Sequence, residues 1–172
     1  MSPRSKLRRD NEVGRSLRAG REAHRRYYAF EICPGYWAAL TGYHGGSRLC
    51  SIDRVRDELL GQTDALSRWA QQLPGSFFER TGDPSVTALF ARIIAWVQAQ
   101  SQFFLAAKEA FAAGADGWLI AYAKAQGLVI ATNEVPNPAI RRRVPLPDVC
   151  TAFGVDYVDT FDMLRALGAS FH

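Results

Sequence analysis

Cysteine and histidine are scarce in this chain, at three residues each, and they are scattered. Cys33, Cys50 and Cys150 form no CxxC pair, and His24, His44 and His172 stand at no metal-ligand spacing from them. An odd, dispersed set of thiols fits reduced structural cysteines better than a disulfide framework or a zinc site. Long apolar runs are missing as well. None approaches the roughly 20 residues that a bilayer span requires, and the basic N-terminus is not followed by the apolar segment of a secretory signal. Neither a membrane span nor secretion is therefore expected, and a cytoplasmic location is. The sequence contains no internal repeat.

What is present is the composition of one globular domain. The chain has 172 residues, 48% hydrophobic and 12% aromatic, enough to bury a sizeable core. Its formal charge of +4 is unevenly spread. Residues 1–26 carry nine Lys or Arg (Arg4, Lys6, Arg8, Arg9, Arg15, Arg18, Arg21, Arg25, Arg26) against Asp10, Glu12 and Glu22, so the remainder sums to −2. Leu7, Val13 and Leu17 are isolated among charges, so residues 1–26 read as a basic, disordered or irregular arm, and residues 27–172 as the domain. Such an arm suits a polyanion such as nucleic acid; a merely solvated charge run has the same composition.

Within the domain, apolar periodicity and punctuation mark an alternation of helices and strands. A short helix at Tyr36–Leu40 ends in glycines; Arg48–Ile52 reads as a strand, followed by a helix over Arg54–Leu60 with Ser51 or Asp53 as its N-cap. A second helix runs from Asp64 to Leu73, and Ser76-Phe77-Phe78 is a candidate strand. Asp83-Pro84 opens the clearest helix, whose stripe Val86, Leu89, Phe90, Ile93 and Val97 reads as core. Phe103–Ala113 is a further helix. The helix opening at Asp116 stops at Gly127, and the buried strand Leu128–Ala131 delivers Thr132 and Glu134 just past its end. Pro136-Asn137-Pro138 makes a loop; Asp148 is expected to cap a helix over Val149–Phe153, with a last strand at Val155–Val158 and a closing helix at Thr160–Leu167. This alternation predicts an α/β fold with a mainly parallel sheet between helices.

Three carboxylates stand out by position: Glu58 on the rim of an apolar helix face, Asp116 at a helix start, and Glu134 beyond a strand. Ligands of open α/β sheets collect outside the carboxyl ends of the strands, and hard oxygen donors of this kind suit Mg2+ or Mn2+. Each acid also has an ordinary reading: a solvated glutamate, a helix cap and an exposed loop acid, respectively.

The order Asp57-Glu58-Leu59, then Gly114-Ala115-Asp116 with Trp118-Leu119-Ile120-Ala121, then Val129-Ile130-Ala131-Thr132-Asn133-Glu134, resembles the PIN-domain ribonucleases. More narrowly, the chain is similar to the PIN-like family DUF4411 over about residues 25 to 171, including Tyr27–Phe30, Cys33–Trp37, Val144–Cys150 and Phe161–Leu164. The resemblance implies a three-layer α/β/α fold and Mg2+- or Mn2+-dependent cleavage of RNA, often as the toxin of a toxin–antitoxin pair. It puts metal binding and catalysis on Asp116, Glu134 and Glu58, with Thr132 as the accompanying hydroxyl. Arg141, Arg142 and Arg143 then become candidates for phosphate contacts, or an ordinary solvated loop. The expected partners are RNA, an antitoxin protein and a second copy of the chain.

One departure bears on activity. The family opens on an apolar central strand ending in an aspartate ligand, whereas Arg15–His24 reads as having neither the strand nor the acid. Asp10-Asn11 echoes the acid–amide pairing without a preceding strand, and Glu31 sits where the resemblance suggests an Asp. A sheet without its central strand would expose an unpaired edge. The alternatives are a degenerate, non-catalytic PIN-like domain that binds RNA or a protein partner, and an N-terminus that is not the natural one, through a shifted reading frame or a wrong start. In the last case neighbouring DNA should encode an apolar strand ending in Asp.

Overall fold

Five short parallel strands form one sheet in the order β3-β2-β1-β4-β5 in the computed structural model, which describes residues 15–17, 29 and 33–169. The strands are β1 (Arg15–Leu17), β2 (Leu49–Ile52), β3 (Phe78–Glu79), β4 (Val129–Ala131) and β5 (Tyr157–Val158). Eight helices accompany them among the described residues. These are α1 (Pro34–Gly45), α2 (Asp53–Leu60), α3 (Ala65–Gln72), α4 (Pro84–Ala99), α5 (Leu105–Ala113), α6 (Asp116–Gln126), α7 (Leu146–Phe153) and α8 (Thr160–Leu167). Among the described residues, no helix is long and apolar enough to cross a membrane.

The middle strand falls in the stretch that read as lacking one. Arg15 pairs with both Leu49 and Val129, and Ser16 with both Cys50 and Ile130. This corrects the expectation of a strandless residues 1–26 and of an unpaired edge. The physical reason is that ladder hydrogen bonds are made by backbone groups, so three residues flanked on both sides can be held without the apolar run by which strands are recognised. The rest of the basic arm, with Asp10, Asn11, Tyr27, Tyr28 and Glu31, lies outside the described residues.

Both faces of the sheet are covered, which follows from the two-residue period of a strand. Ile130 joins a core with Val86, Ile93 and Val97 of α4, Leu119 and Ile120 of α6, and Val149 of α7. Its neighbour Ala131 joins the opposite core with Tyr36, Trp37 and Leu40 of α1, Leu66 of α3 and Met163 of α8. Leu49 and Ile52, three apart on β2, likewise divide between the two cores. The result is a helix–sheet–helix sandwich, as the alternation of elements predicts. Each fully buried aliphatic contributes roughly 1.5–3 kcal/mol, and the α4 stripe supplies three such residues, Val86, Ile93 and Val97.

Several helix starts follow their sequence signals. Asp64 accepts the Ser67 amide at 2.9 Å to cap α3, and Asp83 accepts the Ser85 amide at 2.8 Å to cap α4 ahead of Pro84. Two expectations are displaced. Ser76–Phe78 is mostly a 3-10 turn (Gly75–Phe77), with the strand beginning at Phe78. Asp53 is the first residue of α2 and not its cap; its carboxylate accepts the Thr81 hydroxyl at 2.7 Å and the Thr81 amide at 3.1 Å, fastening α2 to the β3–α4 loop.

Candidate active site

Strand order reverses between β1 and β4: from β1 the chain builds outward through β2 and β3, then returns to the other side of β1 with β4 and β5. The crevice outside the carboxyl ends of β1 and β4 is therefore the topological switch point, where open α/β sheets bind ligands. Glu134 lies three residues past the end of β4. Helix α6 leads into β4 and runs back against it, so its N-terminus, with Asp116, faces the same edge of the sheet.

At the start of α6, Ala115 precedes the first residue and offers no side-chain cap. Glu58, from α2, fills that role: its Oε1 accepts the Ala115 amide at 2.7 Å. The approach depends on a small neighbour, because a Cβ on Gly114 would lie 3.3 Å from the Ala110 carbonyl and 3.5 Å from Glu58 Oε1. Asp116 occupies the first turn, where the helix dipole favours an anion. The turn is further fixed by Trp118, which stacks on Phe90 at 3.8 Å and 9°, with the Arg54 guanidinium 4.9 Å from its ring centroid. Gly117 permits that stack, since a Cβ there would come within 2.9 Å of Phe90 Cε2. The ordinary reading of Asp116 as an N-cap is displaced by one position: Ala115 is the N-cap and Asp116 is the first residue of the helix.

The start of α7 is built in the same way. Glu134 Oε2 accepts the Leu146 amide at 3.0 Å, and its Oε1 lies 3.6 Å from Arg143 Nη1. The Glu134 side chain is only 10% exposed, and that of Arg143 is 47% exposed. The Thr132 hydroxyl accepts the Glu134 amide at 3.1 Å, which turns the chain as it leaves β4. Asp148 was expected to cap a helix beginning at Val149, but α7 begins three residues earlier, at Leu146, so Asp148 lies in the first turn and Glu134 holds the leading amide. Each helix start thus carries a first-turn aspartate and a glutamate bonded to a backbone amide.

The electrostatics join the two starts. Burial pushes the Cys150 thiol up to about 12, and the carboxylates of Asp116 and Glu134 both push it the same way. Burial likewise raises the Asp148 carboxyl above its ordinary value; a backbone hydrogen bond from Asn137 opposes this, Glu134 adds to it and Arg143 opposes it. Of the residues singled out from sequence, Asp116 and Glu134 therefore act on one buried thiol, and Glu58 touches the residue beside Asp116. Arg143 reaches Glu134. Arg141 is turned toward α5, its Nε donating to the Gln102 carbonyl at 3.2 Å, and Arg142 is exposed on the same loop. Among the described residues no three of His, Cys, Asp and Glu form a metal-holding group. Sequence reasoning missed Asp148 as a member of this cluster, and the Glu134–Arg143 pair. Neither has a periodic or motif signal, because both arise where a loop folds back on a strand end.

Residues 21–171 match the model of a family described as a domain of unknown function, DUF4411. The chain belongs to the DUF4411 family. No curated protein and no solved structure matches it. The DUF4411 match takes in α1 to α8 and every strand except β1, which lies just ahead of it. All of Glu58, Asp116, Thr132, Glu134 and Asp148 fall inside the DUF4411 region, whereas the residue that follows β1 in sequence is Arg18.

Proposed function

We propose that this DUF4411 domain is a PIN-like ribonuclease that uses Mg2+ or Mn2+ to cleave RNA phosphodiester bonds in the cytoplasm, as the toxin of a toxin–antitoxin pair. The observation that carries the reading is the position of two carboxylates: Asp116 opens α6, and Glu134 follows β4 by three residues, on the side of the sheet where the strand order reverses. They lie at the switch-point crevice, where the fold presents ligands. Their chemistry fits an ion that is held through one or two carboxylates and keeps water for the rest of its shell, as Mg2+ does.

When bound there, the ion would supply an activated water and neutralise charge on the phosphodiester. The chain's own residues do the positioning. Asp116 and Glu134 would hold the ion; Glu58, the third acid, fixes the first turn that carries Asp116; Thr132 fixes the backbone of Glu134. Arg142 and Arg143 meet phosphate oxygens on the adjoining loop. Incubating purified protein with RNA in Mn2+, in EDTA, and as the Asp116→Asn variant tests this. Cleavage that needs the metal and is lost in the variant is expected; activity in EDTA, or unchanged activity in Asp116→Asn, contradicts it.

A second reading, an RNA- or antitoxin-binding domain without catalysis, is favoured by a specific observation. Glu134 already holds a backbone amide and an arginine, Glu58 already holds Ala115, and Arg18 follows β1 where an acid would extend the set. RNA binding without cleavage under every metal condition would decide for it.

A further inference from the structure

Phe104 is a large apolar side chain left 48% exposed at the start of α5, beside the 67% exposed Leu105. Isolated surface hydrophobics are common and carry no meaning alone. This one differs in how it is held and in what surrounds it. The Arg141 guanidinium sits 5.0 Å from the centre of the Phe104 ring. The Phe104 amide donates to the Arg141 carbonyl at 2.9 Å, and Arg141 Nε donates to the Gln102 carbonyl at 3.2 Å. The Phe104–Arg141 backbone bond and the side-chain bond from Arg141 to Gln102 therefore hold the guanidinium against the ring. Lys108, one turn along α5, is tied to the same corner through the Gln98 carbonyl at 2.8 Å.

The corner is continuous with the site. Arg141 and Arg143 are two residues apart, at most about 7 Å along the chain, and Arg143 is the arginine that reaches Glu134. An aromatic face flanked by Lys and Arg, leading into a cluster of carboxylates, has the composition of a single-strand platform: cations follow the backbone while a base stacks on the ring.

Resting on the reading of this domain as RNA-directed, we propose that Phe104, together with Arg141, is a stacking platform for one unpaired base of single-stranded RNA next to the scissile site. Arg142 and Arg143 hold the backbone between platform and carboxylates. Because stacking reads only the face of a base, the platform places the strand without selecting its sequence.

The test is fluorescence anisotropy of full-length protein with a labelled oligouridine RNA in EDTA, so that binding is read without cleavage. A matched oligomer carrying abasic residues serves as the control. Phe104→Ala is expected to weaken binding of the intact RNA by about tenfold, Phe104→Tyr to restore it, and the abasic RNA to bind wild type and Phe104→Ala alike. Phe104→Trp gives an independent readout, since its emission should be quenched by the intact RNA and not by the abasic one. Equal binding of intact RNA by wild type and Phe104→Ala, or an equal loss on the abasic RNA, overturns the platform while leaving the RNA-directed reading in place. Loss of self-association in Phe104→Ala with RNA binding unchanged would assign the face to a second copy of the chain and also overturn it. Failure of wild type to bind the RNA at all removes the RNA-directed reading itself.

Discussion

The starts of α6 and α7 are two versions of one construction. Each has an aspartate in its first turn, Asp116 or Asp148, and each has its leading amide held by a glutamate from another part of the chain. They differ in reach and in charge. Glu58 comes from 57 residues away and crosses from α2, whereas Glu134 lies 12 residues before the amide it holds. At α7 the half-exposed Arg143 stands against Glu134 and offsets its charge. The comparison teaches that both glutamates already have a structural task, each holding the backbone amide at a helix start. Substitution of either glutamate should therefore be read for stability as well as for activity, and Asp116, in the first turn of α6, is the position at which the metal claim is tested.

The largest effect on stability should come from Glu134→Ala. It leaves the fully buried Leu146 amide without its acceptor, a loss of about 1–3 kcal/mol. Glu134→Gln keeps an acceptor and should recover most of that loss in urea denaturation. Arg143→Ala, which removes only a partly solvated ion pair, should cost less than about 1 kcal/mol. If Arg143→Ala destabilises as much as Glu134→Ala, the pair and not the cap holds α7.

Next in size, Glu58→Ala should cost about 1–2 kcal/mol by uncapping α6, against about 1 kcal/mol for Asp64→Ala at the locally capped α3. Equal unfolding midpoints for Glu58→Ala and wild type would show that the α6 start is held by something other than Glu58. Because the α6 bond ties together elements far apart in sequence, Glu58→Ala should also raise amide exchange at Ala115 and Leu119, with β5 unaffected.

The smallest effect concerns pH. Asp148 has a raised pKa, so between its unfolded and folded values the folded chain binds more protons than the unfolded one, and stability falls as pH rises through that window. Asp148→Asn should remove this decline, leaving stability unchanged at acid pH and slightly higher at neutral pH. A pH–stability curve of the same slope in variant and wild type would place Asp148 in a less desolvated setting than the start of α7.

The parts of this fold that were legible in the sequence are those written over short distances. Asp64 and Asp83 cap their own helices, the Val86–Val97 stripe repeats at helical spacing, Gly127 ends α6 in the left-handed conformation at φ 67°, and Thr160–Leu167 is bounded by its own signals. What was not legible is what depends on distant pairing. Strand β1 carries no apolar pattern and exists through its ladders to β2 and β4. The capping roles of Glu58 and Glu134 require a helix start that only the tertiary fold brings to them. The site was half visible for the same reason: its residue types and strand-end positions could be read, while their hydrogen-bond partners and the membership of Asp148 could not.

The most direct test of the account is Mn2+ binding to the full-length protein, followed through the electron paramagnetic resonance signal of the free ion. Uptake of Mn2+ by wild type, displaced by Mg2+ and abolished in Asp116→Asn, is the predicted result. Uptake that persists unchanged in Asp116→Asn, or no uptake by folded wild-type protein, would contradict a metal site at the start of α6.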